Sequence, residues 1–414
     1  MIPKSQINKF IEDLRDDNLT GVAYKNLLLK KKILTHFAHS GNTTINELSK
    51  ELNISSPKIS KMIGELMSDG LVQDYGKIEA GVGRRPNNFG LTNDSVFFVG
   101  VEVKKSYINI GITDLNNKLI KFTPGLPYQL SNTEKSLDQL CQLINNYLDK
   151  QGIDRKKYLG MGVNLTGRIN FRTGYSYSYF YFNEEPLSKV IKARTGISTF
   201  LENDSRAMAF GEFTCGGVQD EKDVLFINID YGIGMGIMIN GELYYGKSGF
   251  SGEFGHIPFF ENEIICHCGK KGCLETEVSG RALIRTFQEK LREGSASRVQ
   301  GKFSDPEKIE LENIIQAAVN DDTLAIELID ELGLKLGKAL TSLIHLYNPD
   351  LIILGGSLAD TGDYLYLPVK MAINKYSLNL ISQDTKIKLS SLGIKAGIMG
   401  ACLLAREKFL KNIY

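Results

Sequence analysis

The sequence predicts an α/β protein with a small helical, winged head at its front. Three observations point there. Residues 26–93 read as short helices, a tight turn and a glycine-tipped hairpin. From Val96 onward, apolar strand-like runs precede amphipathic helical stretches again and again. Finally, 42% of the 414 residues are hydrophobic, enough for a large core and roughly two to three domains.

Charge and cysteine usage narrow the class. The 49 basic and 48 acidic residues leave a formal charge of +1, which excludes a wholly basic nucleic-acid wrapper but allows a local basic face. No run of about 18 apolar residues marks a membrane span. The opening MIPKSQINKFIEDL is charged and amphipathic, unlike a secretory signal. Six cysteines in so long a chain point to a reducing, cytoplasmic setting, where clustered cysteines more often hold metal. No internal repeat is obvious.

The head is taken first. NLLLKKKILTHFAH, residues 26–39, has helical periodicity that Gly41-Asn42 breaks. Thr44-Ile45-Asn46-Glu47 is a capping box opening a short helix with Leu48 and Leu52 on one stripe. After the turn LNIS, Ser56-Pro57 supplies an N-cap and first position for a second helix. There Ile59, Ile63 and Leu66 face inward, Met62 lies at the margin, and Ser56, Lys58, Ser60 and Lys61 lie on or near the outward side. Short helix, turn and second helix form a helix-turn-helix, whose second helix enters the DNA major groove. LVQDYGK and GVGRRPNNFGLT then read as a strand, a glycine-rich tip with Arg84 and Arg85, and a return strand. Two arginines on such a wing can reach phosphates or the minor groove. The blander reading is a small helical domain with solvated lysines.

In the body, VFFVGVEV, INIGITD and KLIKFT are strands, and residues 134–150 an amphipathic helix. YLGMGVNLTGRIN is a strand ending in a glycine turn. VLFINIDYGIGMGIMINGELYYG gives a strand, a glycine-rich turn and a hairpin tipped by Asn240-Gly241. DLIILGGSL is a buried strand ending in paired glycines.

Five stretches then carry a resemblance: GRRP on the wing, LENDSRA at 201–207, IDYGIGMG at 229–236, SGEFGH with the cysteine loop at 251–275, and NPDLIILGGSL at 348–358. Together they resemble the ROK family of bacterial repressors and sugar kinases. The resemblance implies an N-terminal winged helix-turn-helix plus a two-lobed, actin-like ATPase (ribonuclease H-like) sugar-kinase fold, with a sugar between the lobes. The expected organisation is an arm at 1–24 and a winged helix-turn-helix at 25–93. Lobe one follows at 94–204 with a C-terminal helix at 395–414, and lobe two at 205–394 with the metal loop and a dimerisation surface.

Cys266, Cys268 and Cys273 form C-x-C-x4-C, and Gly269 and Gly272 let the loop turn tightly. A structural zinc takes four tetrahedral ligands, so one place is open. His267, between two ligands, should point away, whereas His256 can fold back from ten residues upstream. The resemblance also assigns His256 as the fourth ligand. A reduced or merely buried cysteine cluster is the alternative.

Asn203 and Asp204 can hydrogen-bond vicinal hydroxyls. The resemblance adds Glu253, His256, Glu275 and Gly167 as sugar contacts, although this chain has Thr166-Gly167 where the family has Pro-Gly. Without the resemblance Glu275 reads as a solvated loop acid. In the kinases the residue matching Asp204 is the general base.

The phosphate side differs. The family's kinases carry D-x-G-x-T, and here Glu102, Lys104 and Ser106 stand in those places. Asp230 and Tyr231 replace Gly-Thr in the second loop, and Met235 replaces a glycine. Gly232, Gly234, Gly236 and the pair Gly355-Gly356 remain, which turns or packing alone explain. ATP and Mg2+ are therefore not expected, since phosphoryl transfer needs both grips. The expected protein is a sugar-responsive DNA-binding repressor, a homodimer or homotetramer on operator DNA, released by a sugar or sugar-phosphate. The alternative is a glucokinase-like enzyme using Asp204.

Overall fold

The computed structural model describes residues 8–16, 18–77, 86–182, 184–301, 303 and 305–411. The chain forms two compact units. One takes the described residues up to Val163 together with Phe180–Leu201 and the stretch from Ala401. The other takes Asn164–Tyr179 and Glu202–Gly400.

The first unit opens with a helix at Asn8–Arg15, whose Phe10 is fully buried and packs edge-on to Phe409 at 6.4 Å. Burying one such ring contributes about 1.5–3 kcal/mol, so this short helix is docked. Helices follow at Gly21–Ser40, Ile45–Leu52 and Ser56–Ser68. The Thr44 capping box forms: Glu47 N donates to Thr44 Oγ1 at 3.3 Å, and Thr44 N to Glu47 Oε2 at 3.0 Å. Asn53 makes the turn in left-handed backbone, φ 53°. The next N-cap differs from the sequence expectation. It falls on Ser55, because the amides of Lys58 and Ile59 both donate to the Ser55 carbonyl, and Ser56 begins the helix. Met62 is not marginal either: with Ile59, Ile63 and Leu66 it is fully inside. Strands Val72–Lys77 and Asn87–Leu91 pair antiparallel below the wing, and Thr43 adds a bridge to Phe89. The wing tip with Arg84 and Arg85 lies outside the described residues.

Two five-stranded sheets follow. The first runs, edge to edge, Leu119–Pro127, Tyr107–Asp114, Phe97–Val103, Tyr158–Leu165, Thr199–Asn203. The second runs Glu242–Leu243, Ile233–Ile239, Val224–Ile229, Leu351–Gly355, Lys386–Leu389, antiparallel on one side of Val224–Ile229 and parallel on the other. Numbered in chain order within each, both have the order 3-2-1-4-5. An internal repeat is therefore present in the topology although none is visible in the residues.

The glycines of IDYGIGMG owe their presence to close approach. None of Gly232, Gly234 or Gly236 has positive φ. A Cβ on Gly234 would meet Ser205 Oγ at 2.2 Å, and one on Gly236 would meet Ala209 Cβ at 2.3 Å, both on the helix Asp204–Cys215. Gly356, by contrast, turns at φ 84°. The hairpin tip Asn240-Gly241 has φ 53° and 78°, as a tight two-residue turn requires.

A candidate ligand site beside a cysteine-histidine cluster

The cysteine loop is a small bridged turn. Cys266 N donates to Lys270 O and Gly269 N to Cys266 O, both at 2.8 Å, while Pro258 pairs with Cys273 across the loop. Gly272 is required there, since a Cβ would lie 2.2 Å from Phe260 O. His256 ends the single turn Phe254–His256 and folds back onto the loop.

Its Nδ1 lies 3.6 Å from Cys266 Sγ, and Cys268 and Cys273 Sγ are 3.7 Å apart. The four donor atoms all lie within 4.8 Å of one another. A tetrahedral zinc with Zn–S near 2.3 Å sets its ligands about 3.8 Å apart, so this cluster has the spacing to hold a metal ion. Burial pushes the Cys266 thiol up to about 12. A divalent cation among the sulfurs offsets that cost and yields the thiolates it needs.

His267 stays at the edge of the four-ligand cluster, half exposed, with its Nδ1 3.8 Å from Cys266 Sγ. Its Nδ1 donates to Glu275 Oε1 at 2.6 Å. Glu275 Oε2 accepts from Ile233 N at 3.0 Å, and a Cβ on Gly232 would lie 2.5 Å from that oxygen. Burial alone would raise the Glu275 pKa. The bond and charge of His267, the Ile233 amide and the His256 charge outweigh it and hold the carboxyl below its ordinary value. Glu275 is thus a buried, fixed carboxylate at 7% exposure, unlike a solvated loop acid.

The other expected contacts lie in the same unit. Asn203 caps the helix Asp204–Cys215, its Oδ1 accepting from Arg206 N at 3.1 Å. Its Nδ2 donates to Gly167 O and to Asp204 Oδ1, both at 3.0 Å. Gly167, at φ 92°, adopts backbone that disfavours other residues. Glu253 Oε2 sits 3.7 Å from His256 Nε2, so one imidazole nitrogen faces the sulfurs and the other Glu253. Beneath lies a pair the sequence reading did not single out. Glu202 and Arg206, both buried, are joined at 2.7 Å, and Tyr245 Oη donates to Glu202 Oε2 at 3.1 Å. Arg206 also donates to Ile169 O, tying the strand end to the turn after Gly167. Their i, i+4 spacing in LENDSRA was the available signal.

Glu102 and Lys104, two of the departures from the kinase pattern, engage each other. Lys104 Nζ lies 3.3 Å from the buried Glu102 carboxylate, whose other oxygen accepts from Asn109 Nδ2 at 2.7 Å. In the second unit, burial and the neighbouring Asp230 raise the pKa of Asp360, so a second acidic group stands beside the second loop.

On the helix Ser56–Ser68 the exposed positions are Pro57, Ser60, Lys61, Gly64, Met67 and Ser68. Ser60 and Lys61 lie on this outward face. Ser56 and Lys58 are half-buried on its flank: Ser56 Oγ donates to Ser49 Oγ at 3.2 Å, and Lys58 Nζ to Asn26 Oδ1 at 2.6 Å.

With that geometry in place, the chain belongs to the ROK family, which residues 98–408 match. Residues 28–73 match the winged helix-turn-helix DNA-binding family. The xylose repressor of Bacillus subtilis (strain 168) is 25% identical over 97% of this chain and 99% of its own length. A ROK family transcriptional regulator, a homologue of the E. coli MLC protein, has a crystal structure matching at TM-score 0.77 and 25% identity. It covers 94% of this chain and 98% of its own. A Streptomyces griseus ROK glucokinase, solved with glucose and AMPPNP, matches at TM-score 0.67 and 27% identity. It covers 99% of its own chain but 75% of this one.

Proposed function

We propose that this chain is a sugar-responsive, DNA-binding transcriptional repressor of carbohydrate-metabolism genes, acting in the cytoplasm without catalysis. The observation that carries this reading is the polar set of the second unit, where Asn203 Nδ2 donates to Gly167 O and Asp204 Oδ1 and the buried Glu202–Arg206 pair supports the same turn. In the first unit, the place where the family's kinases carry an aspartate is taken by Glu102, which Lys104 pairs. The relatives support it. Repressor and regulator match nearly the whole chain including the head, and the glucokinase covers three quarters.

Asn203, Asp204, Glu253, His256, Glu275 and the Gly167 turn read the hydroxyls of a sugar or sugar-phosphate. The metal held by His256, Cys266, Cys268 and Cys273 is a structural zinc, since four protein ligands leave no open position. It supplies a rigid anchor. The imidazole of His256 passes that rigidity to Glu253, and the loop passes it to Glu275. Ser60 and Lys61 on the second head helix, flanked by Ser56 and Lys58, and Arg84 and Arg85 of the wing, contact operator DNA. Two heads of a homodimer, or four of a dimer of dimers, read a roughly palindromic site. The sugar acts by preferring the state whose head spacing no longer fits the operator.

A mobility-shift assay on the DNA upstream of this chain's own gene, run against a panel of sugars, tests this. The expected result is a retarded band that one sugar class releases. Enzyme-like phosphorylation of hexoses by ATP would instead favour the kinase reading, with Asp204 as general base.

A further inference from the structure

The stretch FRTGYSYSYFYF, residues 171–182, has no role in the reading above. Its alternation is inverted. An ordinary half-buried strand turns large apolar side chains inward and small polar ones outward. Here Ser176 is 4% exposed while Tyr177 is 53% exposed. The serines have turn-building work: Ser178 Oγ accepts from Arg168 N at 2.9 Å, and Ser176 Oγ accepts from Tyr179 N at 3.3 Å. Tyr177 is left outward on backbone tied to Arg168 O, the residue after Gly167.

Phe250, from a different loop, meets it. The two rings stand edge to face at 5.9 Å and 73°, and Phe250 is 36% exposed although it lies three residues before Glu253. Beneath the same two loops Phe171 and Tyr245 stack at 3.7 Å, and Tyr245 reaches the Glu202 that also accepts from Asn203 N. The aromatic corner is therefore built on the two segments that carry Gly167 and Glu253, and is wired to Asn203. Exposed rings at the rim of a polar site mark ligand contact rather than core. The ligand chemistry that combines hydroxyls for Asn203 and Glu253 with a flat C–H face for a ring is a carbohydrate.

We propose that Tyr177 and Phe250 form a second-ring subsite, so that the effector is a disaccharide or longer glycan fragment rather than a free monosaccharide. One ring is read by the polar set, and the next stacks in the corner. This rests on the sugar-binding reading above and extends it. The full-length protein is titrated calorimetrically with matched pairs: xylose and xylobiose, glucose and cellobiose, glucose and maltose, N-acetylglucosamine and its β-1,4 dimer. At least one disaccharide should bind about ten-fold more tightly than its monosaccharide, the effect of one ring stack. Tyr177→Ala and Phe250→Ala should each remove that gain and leave monosaccharide binding within two-fold, and Tyr177→Phe should keep it. Asn203→Ala should lose both ligands. Monosaccharide binding without any disaccharide gain, or a gain insensitive to both alanine variants, overturns the subsite alone. Failure of every sugar to bind overturns the sugar reading itself.

Discussion

Glu102 is 2% exposed, and a carboxylate so deeply placed survives only if its charge is answered. Lys104 and Asn109 answer it within one short hairpin. Lys104→Met removes the cation but keeps most of the volume. It should destabilise the protein by roughly 2–4 kcal/mol, because an unpaired buried charge costs more than the pair contributed. Chemical denaturation measures this, and an unchanged midpoint would show that Glu102 does not depend on Lys104. Sequence alone located the substitution but could not show that the lysine turns back onto the acid beside it. His267 teaches the same lesson. Its position between two ligands led to the expectation that it points away from the metal, whereas in the fold its Nδ1 lies 3.8 Å from Cys266 Sγ and bonds Glu275 beside the Ile265–Lys271 bridge. His267→Ala should leave metal content unchanged and weaken sugar binding about ten-fold, as a buried acceptor loses its donor. His267→Asn should restore part of the affinity. A loss of metal in the alanine variant would mean that the residue serves the cluster instead.

At the scale of elements, the C-terminal helix Ala396–Lys411 and the head helix Gly21–Ser40 meet within the first unit, where Lys31 Nζ lies over the Phe409 ring at 5.3 Å. Arg406 donates to Ala38 O at 3.0 Å, Thr35 Oγ1 to Leu410 O at 3.5 Å, and His39 pairs with Glu407 at 3.0 Å. The last contact titrates. The hydrogen bond to Glu407, despite some burial, raises the His39 pKa above 6.5. Burial opposes, but His39 and Lys411 hold Glu407 below 4.5. The histidine's contribution is complete below pH 6.5 and fades as pH climbs through its raised value. The glutamate's is complete above pH 4.5 and fades as pH falls through its lowered one. The contact is therefore strongest between those limits. Amides of residues 401–411 should exchange faster, after correction for intrinsic rates, at pH 8 than at pH 6. His39→Ala should abolish that difference, and an equal difference in the variant would assign it elsewhere. Helix spans and the capping box were legible here because each has a local cause: a periodic stripe, a threonine three residues before a glutamate. The shared strand order of the two sheets was not, because it lies in which strands become neighbours and leaves no repeated residues behind.

At the scale of the whole molecule, the question is what covers the helix pair Thr323–Tyr347 and Asp363–Tyr376. Within the second unit, Thr323–Tyr347 and Asp363–Tyr376 pack closely at Gly337, where a Cβ would lie 2.4 Å from Val369 O. Leu365, Val369 and Ile373 fill the inner face. That phase fixes the outer one: Leu367 and Met371, one turn apart, are 55% and 57% exposed, and Leu378 and Leu380 beyond them 63% and 80%. The sequence reading did not single out these helices. The pairing of glycine against backbone was needed to tell which side is core. So much exposed apolar surface on neighbouring elements fits contact with a second copy, as a palindrome-reading repressor needs. Leu367→Glu with Met371→Glu adds charge where no core is disturbed. Sedimentation should then show a monomer with an unchanged melting temperature. Sugar binding should persist, because every expected sugar contact comes from a single chain. Operator affinity should fall more than ten-fold, since the second head no longer arrives at the high effective concentration a dimer provides. If the doubly charged variant remained a dimer, the self-association surface would lie elsewhere. If it became monomeric yet bound the operator undiminished, the two-headed reading of a palindrome would fail.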